Sequence, residues 1–247
     1  MKSQNIHIGI VGAGNIGSTI YQLLKSTGDD YKVTIADQVE KHNIFINDDD
    51  YHRLNITKPT YDGYCTQFNQ FVIGKTLIIN ALPYHQNINL YKSCYERNVP
   101  YFDLSEDGEL DKFIEKLHNI SFTMPHCGLA PGLSTVIASD LLNHIENPTS
   151  VKIRVGALSQ NASNKLRYYT SWSGEGLVNE YIGDCQILEN GKYNTADALT
   201  GYEKLTLDGS EYEAFNTSGG LGTFAKSIDG KYDSLNLNYK TLRRIGH

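Results

Sequence analysis

Ile6-His7-Ile8-Gly9-Ile10-Val11 forms a short apolar run, and behind it Ile16, Ile20, Leu23 and Leu24 recur at helical spacing. This pattern predicts a strand followed by an amphipathic helix that turns those four residues inward. Lys32-Val33-Thr34-Ile35-Ala36 reads as the next strand. From Gln38 to Gly74 the pattern weakens, and the acidic run Asp48-Asp49-Asp50 within it reads as a solvated loop. Thr76-Leu77-Ile78-Ile79-Asn80-Ala81 suits a buried parallel strand, closed by Pro83 because proline cannot continue a central ladder. A helix is expected from about Gln86 to Arg97, then strands at Tyr101-Phe102-Asp103-Leu104 and Ser121-Phe122-Thr123-Met124. Pro131-Gly132 marks the start of another helix, with Pro131 in its first turn, running through Ile137, Leu141 and Leu142 to about Asn143.

After Ser150 the texture changes to alternating, tyrosine-rich segments. Val151-Lys152-Ile153-Arg154-Val155 and Leu235-Asn236-Leu237-Asn238-Tyr239 alternate with period two. Asn190-Gly191 and Asp208-Gly209 each stand between two strand-like runs, the pair type that a type I′ hairpin requires. The expected architecture is α/β: a Rossmann-type doubly wound parallel sheet over residues 1–125, then an α+β substrate domain with a largely antiparallel sheet over residues 126–247.

The first strand-to-helix junction carries Gly12-Ala13-Gly14-Asn15-Ile16-Gly17, the G-x-G-x-x-G fingerprint of dinucleotide binding. Gly12 permits the tight turn, Gly14 lets backbone approach a pyrophosphate, and Gly17 lets the helix pack close on the strand. The leading amides of the helix and its dipole favour an anion there. Asp37 ends the second strand, twenty residues after Gly17. A carboxylate at that place accepts the ribose hydroxyls and repels a 2′-phosphate, which favours NAD over NADP.

The net charge of −6 over 247 residues argues against a general nucleic-acid surface. No stretch reaches the about 18 apolar residues of a membrane span. Cys65, Cys94, Cys127 and Cys185 lie far apart, which suggests neither a zinc site nor a disulfide framework. These features are those of a cytoplasmic protein with reduced thiols. The tyrosine-rich second half offers an interface for a homodimer.

Several segments together resemble the saccharopine dehydrogenase-like oxidoreductases. They are Gly12–Gly17, Asn80-Ala81-Leu82-Pro83-Tyr84, Tyr101–Leu104, Cys127-Gly128-Leu129-Ala130-Pro131-Gly132, Ser173–Tyr181, Thr217-Ser218-Gly219-Gly220-Leu221 and Lys240–His247. They occur in the family's order, and within the family the chain looks most like the L-lysine 6-dehydrogenases. The resemblance implies oxidation or formation of a C–N bond at an amino acid by hydride exchange with a nicotinamide, the substrate carrying a carboxylate and an amine and lying between two domains. Oxidative deamination of L-lysine at the ε-amine is the leading reaction. The alternatives are reductive condensation of an amine with a keto acid or aldehyde, and a non-catalytic NAD-binding subunit. Family members continue beyond the Gly-His pair, so the substrate domain is expected to be incomplete at its C-terminal end.

In an open α/β sheet the ligand lies beyond the carboxyl ends of the strands, where strand order reverses. That places Gly12, Ala13, Gly14, Asn15, Ile16, Asp37, Asn80, Ala81, Leu82 and Pro83 at the cofactor, with Asp103 and Tyr84 as candidates for moving the amine proton. Cys127, Gly128 and Pro131 would line the substrate pocket, and the helix after Pro131 offers a second anion site. Tyr169 and Trp172, with Tyr168, would wall it, Arg243 would clamp a carboxylate, and His247 would stand nearby. Each has an ordinary alternative: a loop salt bridge for Asp103, core packing for Tyr84 and the aromatics, a surface role for Arg243. His85, His126 and His247 lack the spacing of a metal triad, so no metal is expected.

Overall fold

Ile8 and Ile10 point to one side of the first strand and Val11 to the other, so this strand has two hydrophobic faces. A strand buried on both faces belongs in a parallel sheet covered by helices on each side. The computed structural model describes residues 6–28, 31–41, 43–54, 66–119, 121–170 and 174–247. Contacts divide it into two units, residues 1–127 and 128–247.

In the first unit, β1 (Ile6–Val11), β2 (Tyr31–Asp37), β3 (Tyr51–Arg53), β4 (Leu77–Asn80), β5 (Tyr101–Asp103) and β6 (Thr123–Met124) form a parallel sheet in the order β3-β2-β1-β4-β5-β6. The order reverses between β1 and β4, the switch point of a doubly wound sheet. Helix α1 (Asn15–Ser26) sends Tyr21 into the core around Ile8, Ile10, Val33 and Ile35. Helices α2 (Thr66–Val72), α3 (Asn87–Arg97) and α4 (Gly108–Ile114) supply Phe68, Phe71, Leu90, Tyr91, Cys94 and Leu110 to the core on the opposite face.

Three expectations are corrected here. Ile20 and Leu24 pack against the core as expected, but Ile16 and Leu23 are 45% and 60% exposed, and the buried residues of α1 are Gly17, Ser18 and Tyr21. The reason is that Gly17 must lie against the Gly12 carbonyl, where any Cβ would collide, and this contact sets the rotation of the helix. The acidic run is not all solvated: Asp50 is buried and accepts the Tyr21 hydroxyl at 2.7 Å, with Lys25 at 3.3 Å. The weakly patterned region also contributes an edge strand, β3, and α2.

In the second unit, β7 (Ser150–Val155), β8 (Asp184–Glu189), β9 (Lys192–Asp197), β10 (Glu203–Leu207), β11 (Ser210–Asn216) and β12 (Asn236–Arg244) form a largely antiparallel sheet. The nine-residue β12 is its spine, with β7 running parallel along one edge. Strands β8 and β11 pair with successive parts of the other edge. Both predicted hairpins form: Asn190 and Gly191 have φ of 49° and 75°, as do Asp208 and Gly209. That double left-handed step is the type I′ turn. The unit also contains α5 (Leu133–Leu142), α6 (Gly174–Glu180) and α7 (Phe224–Ser227). Only Ala138 and Leu142 of α5 are buried, against Ile153, Leu188, Phe224 and Leu237, while Ile137 and Leu141 are exposed.

Candidate active site

The glycine turn is assembled as its spacing demands. Gly12 adopts φ of 104°, and a Cβ there would stand 2.7 Å from the Ala81 carbonyl, so the turn after β1 and the end of β4 touch backbone to backbone. Ala81 itself donates to the Val11 carbonyl at 2.8 Å. Gly14, by contrast, has nothing within 4 Å of its missing Cβ. It caps α1, whose first intrahelical bond runs from Ser18 N to Gly14 O at 3.0 Å. The preceding amides of Asn15, Ile16 and Gly17 have no partner within the helix. An open, side-chain-free edge beside donor amides at a helix N-terminus fits a pyrophosphate. Asp37 completes this edge: its Oδ2 accepts the Ala13 amide at 2.6 Å.

The loop after β4 is shaped by a buried amide network. Asn80 donates through its side-chain nitrogen to Asn87 Oδ1 and to the Tyr101 hydroxyl, each at 2.8 Å, and accepts the Leu82 amide at 3.0 Å. Asn87 continues to Ser105 and Asp107. All polar atoms of Asn80 are therefore engaged internally; its part in a nucleotide site is to hold Ala81, Leu82 and Pro83 in place. Tyr84 opens a short 3₁₀ turn after Pro83, half-buried, its ring edge-on to His85 at 5.9 Å.

Asp103 pairs in register with Asn80 and is 1% exposed. Its Oδ1 accepts the amides of Ser105 (3.1 Å) and His126 (3.3 Å). Its Oδ2 is buried without a hydrogen bond of ordinary geometry, the Tyr101 hydroxyl lying near enough only to favour the charge. Burial pushes this carboxyl up to about 6, against the His126 amide, Tyr101 and the other donors that hold it down. A carboxylate so poised exchanges protons near neutral pH. Beside it, His126 pairs with Asp111 at 3.2 Å. The half-buried Cys127 donates its amide to the Asp103 carbonyl at 2.8 Å and its thiol to the Met124 carbonyl at 3.2 Å, and burial, with the nearby Asp103, pushes the thiol up.

In the second unit the Gly128–Gly132 turn closes on itself. Pro131 lies before the cap, Gly132, rather than in the first turn of α5, which starts at Leu133. The leading amides of α5 are already used: Leu133 donates to Gly128 O and Ser134 to Leu129 O, each at 2.9 Å. The expected second anion site at this N-terminus therefore lacks free donors. Arg243 is 3% exposed and its planar fork is engaged inside the unit. Nε donates to the Tyr181 hydroxyl (3.0 Å), Nη1 to the Leu242 carbonyl (2.9 Å), and Nη2 stands 3.7 Å from Glu180, with the Tyr168 ring stacked at 4.2 Å. His247 has both ring nitrogens committed, Nδ1 to the Leu166 carbonyl (2.6 Å) and Nε2 to Tyr181 (2.8 Å). A carbonyl can only accept, so Nδ1 carries the proton and Nε2 accepts from Tyr181. Burial and the nearby Arg243 favour this neutral form. Arg243 and His247 thus form one internal relay rather than a free carboxylate clamp. Tyr169 is half exposed, its hydroxyl 3.2 Å from Ser163. Trp172 lies outside the described residues.

Residues 8–126 match the saccharopine dehydrogenase NADP binding domain, and residues 128–247 match the saccharopine dehydrogenase C-terminal domain. The chain belongs to the saccharopine dehydrogenase-like oxidoreductases. Among solved structures, saccharopine dehydrogenase (L-Glu forming) from Saccharomyces cerevisiae superposes with a TM-score of 0.75 at 18% identity, over 98% of this chain and 56% of that one. A probable dehydrogenase from Thermotoga maritima superposes with a TM-score of 0.52 at 11% identity, over 98% of this chain and 70% of that one. These likenesses concern the fold, and this chain spans little more than half the length of the yeast enzyme. No curated protein matches the chain. Among the described residues, no helix is long and apolar enough to cross a membrane, and no group of three His, Cys, Asp or Glu side chains is placed to hold a metal ion.

As a saccharopine dehydrogenase-like oxidoreductase the chain carries an NAD(P)-binding first unit, and the open edge at Gly14 is where its residues fit that nucleotide. The sequence reading did not single out the groups that surround Asp103. Asp111 lies on α4, where Leu110, Phe113 and Ile114, with Leu117 just beyond, recur at helical spacing and pack on the core, a signal that marks the helix but not the partner of its polar face. In the sequence His126 stands out only as a possible metal ligand. The available local signal was Asp107, which caps α4 by accepting the amides of Glu109 and Leu110.

Proposed function

We propose that this chain is an NAD-dependent dehydrogenase acting on the C–N bond of an amino acid, with oxidative deamination of L-lysine at the ε-amine as the leading reaction. The observation that carries the catalytic reading is Asp103, a buried carboxyl poised near neutral pH at the end of a strand next to the switch point, with one oxygen uncommitted. Asp37 supports NAD over NADP: it sets a negative charge at the end of β2. Arg53, in register with Asp37 on β3, is paired with Glu40, and Lys41 is paired with Asp48.

Bound NAD would supply the hydride acceptor. The chain's own residues do the rest. Asp103 takes the proton that leaves the substrate nitrogen as its carbon gives up a hydride, and Tyr84 orients the amine. Water then hydrolyses the imine to the semialdehyde and ammonia. Reductive condensation of an amine with a keto acid or aldehyde would run similar proton chemistry in reverse.

The test is NADH formation with L-lysine and a panel of related amines at alkaline pH, run beside NAD and NADP binding by calorimetry. Turnover with lysine, lost in Asp103→Asn with NAD affinity retained, is the expected result. Turnover only in the reductive direction, with an amine and an oxo acid, would replace lysine oxidation by the condensation. Tight NAD binding without turnover on any substrate would refute the catalytic reading.

A further inference from the structure

His126 adopts a left-handed backbone conformation, with φ of 64°. This turn gives two parts of one residue separate tasks. Its amide donates to Asp103 Oδ1 at 3.3 Å. Its imidazole, only 9% exposed, stands 3.2 Å from Asp111 on α4. Burial alone would drive the ring neutral, but Asp111, helped by Glu106 and Asp103, outweighs burial and raises its proton affinity above the ordinary value.

Several groups act on Asp103. Tyr101 precedes it on β5 and Ser105 follows it, while the Cys127 thiol interacts with it from the turn after β6. Glu106 and Asp111 both act on the neighbouring imidazole. The imidazolium is the positive charge among these groups, and it adds to the amide and hydroxyl donors that hold the Asp103 carboxyl down against burial.

We propose that His126 is a positioning residue for Asp103: its amide orients the carboxylate, and its imidazolium, paired with Asp111, stabilises the charged form. The proposal rests on the reading of Asp103 as the proton acceptor, yet the coupling itself is measurable without any turnover.

The experiment is a carbon-13 NMR titration of the aspartate carboxyls in the full chain, with the Asp103 signal assigned by its loss in Asp103→Asn. His126→Asn keeps a residue type that tolerates the left-handed backbone, and therefore the amide, while removing the charge. Asp111→Asn leaves His126 in place and removes its counter-charge. The Asp103 midpoint is expected to rise by roughly half a pH unit or more in both variants. A midpoint that stays in place in either variant overturns the proposal. If His126→Asn does not fold, Asp111→Asn decides alone. In the active enzyme the acid limb of the kcat/KM profile should move by the same amount. A chain that shows the NMR shifts but oxidises no amine would refute the dehydrogenase reading and leave the coupling established.

Discussion

The Asp37 carboxylate accepts the Ala13 amide at 2.6 Å, tying the end of β2 to the glycine turn after β1. One oxygen thus holds the turn while the charge remains at the strand end where a ribose would lie. Asp37→Arg removes the tie and inverts the charge. NAD affinity is expected to fall at least about tenfold, which is roughly 1.4 kcal/mol, and the preference is expected to move towards NADP. Calorimetry with both nucleotides checks this, and unchanged NAD binding would contradict the placement of the cofactor.

Gly17 and Gly14 separate folding from binding. A Cβ at Gly17 collides with the Gly12 carbonyl, whereas one at Gly14 meets nothing. Gly17→Ala should cost roughly 1–3 kcal/mol or more, the range for overpacking a tight contact. Gly14→Ala should cost less than about 1 kcal/mol in stability and still weaken nucleotide binding. Thermal denaturation and calorimetry on the two variants read these effects independently.

Stability should depend on pH through two carboxyls raised by burial, Asp103 to about 6 and Glu180 to about 7. For each, the folded protein binds the proton more tightly than the unfolded chain. Their favourable contribution is complete below the ordinary carboxyl range of about 4 and is lost as pH rises through the folded value. Asp103→Asn and Glu180→Gln should each flatten the decline between about pH 4 and 7, by up to roughly 3 kcal/mol per group. Urea denaturation across that window tests the sign: a decline that steepens in either variant would exclude this assignment.

The Arg243–Tyr181–His247 relay predicts that the Tyr181 hydroxyl is structural. Tyr181→Phe leaves Arg243 Nε and His247 Nε2 without their partner, inside the protein. The expected loss is about 2–3 kcal/mol. Tyr169→Phe, at a half-exposed hydroxyl, should stay within about 0.5 kcal/mol. Equal effects of the two substitutions in chemical denaturation would refute the relay.

The elements legible in the chain are those with a local physical cause. Gly12 must take a positive φ to leave β1, and Asn190-Gly191 and Asp208-Gly209 can follow only the left-handed path of a tight hairpin. Alternating or continuous apolar runs separated the parallel sheet from the antiparallel one because side-chain period reports which faces are buried. Asp37 was found by its spacing from the glycines. By contrast, nothing local distinguishes Asp50 from Asp48, yet only Asp50 meets Tyr21, 29 residues away. Arg243 looked as suited to a carboxylate as to the surface, until β12 brought it to Tyr181 across 62 residues. His126 has no signature at all until β6 sets it beside Asp103 and α4 sets Asp111 against its ring. Backbone conformation and face periodicity are written within a few residues. The state of a buried charge depends on partners that only the folded chain assembles.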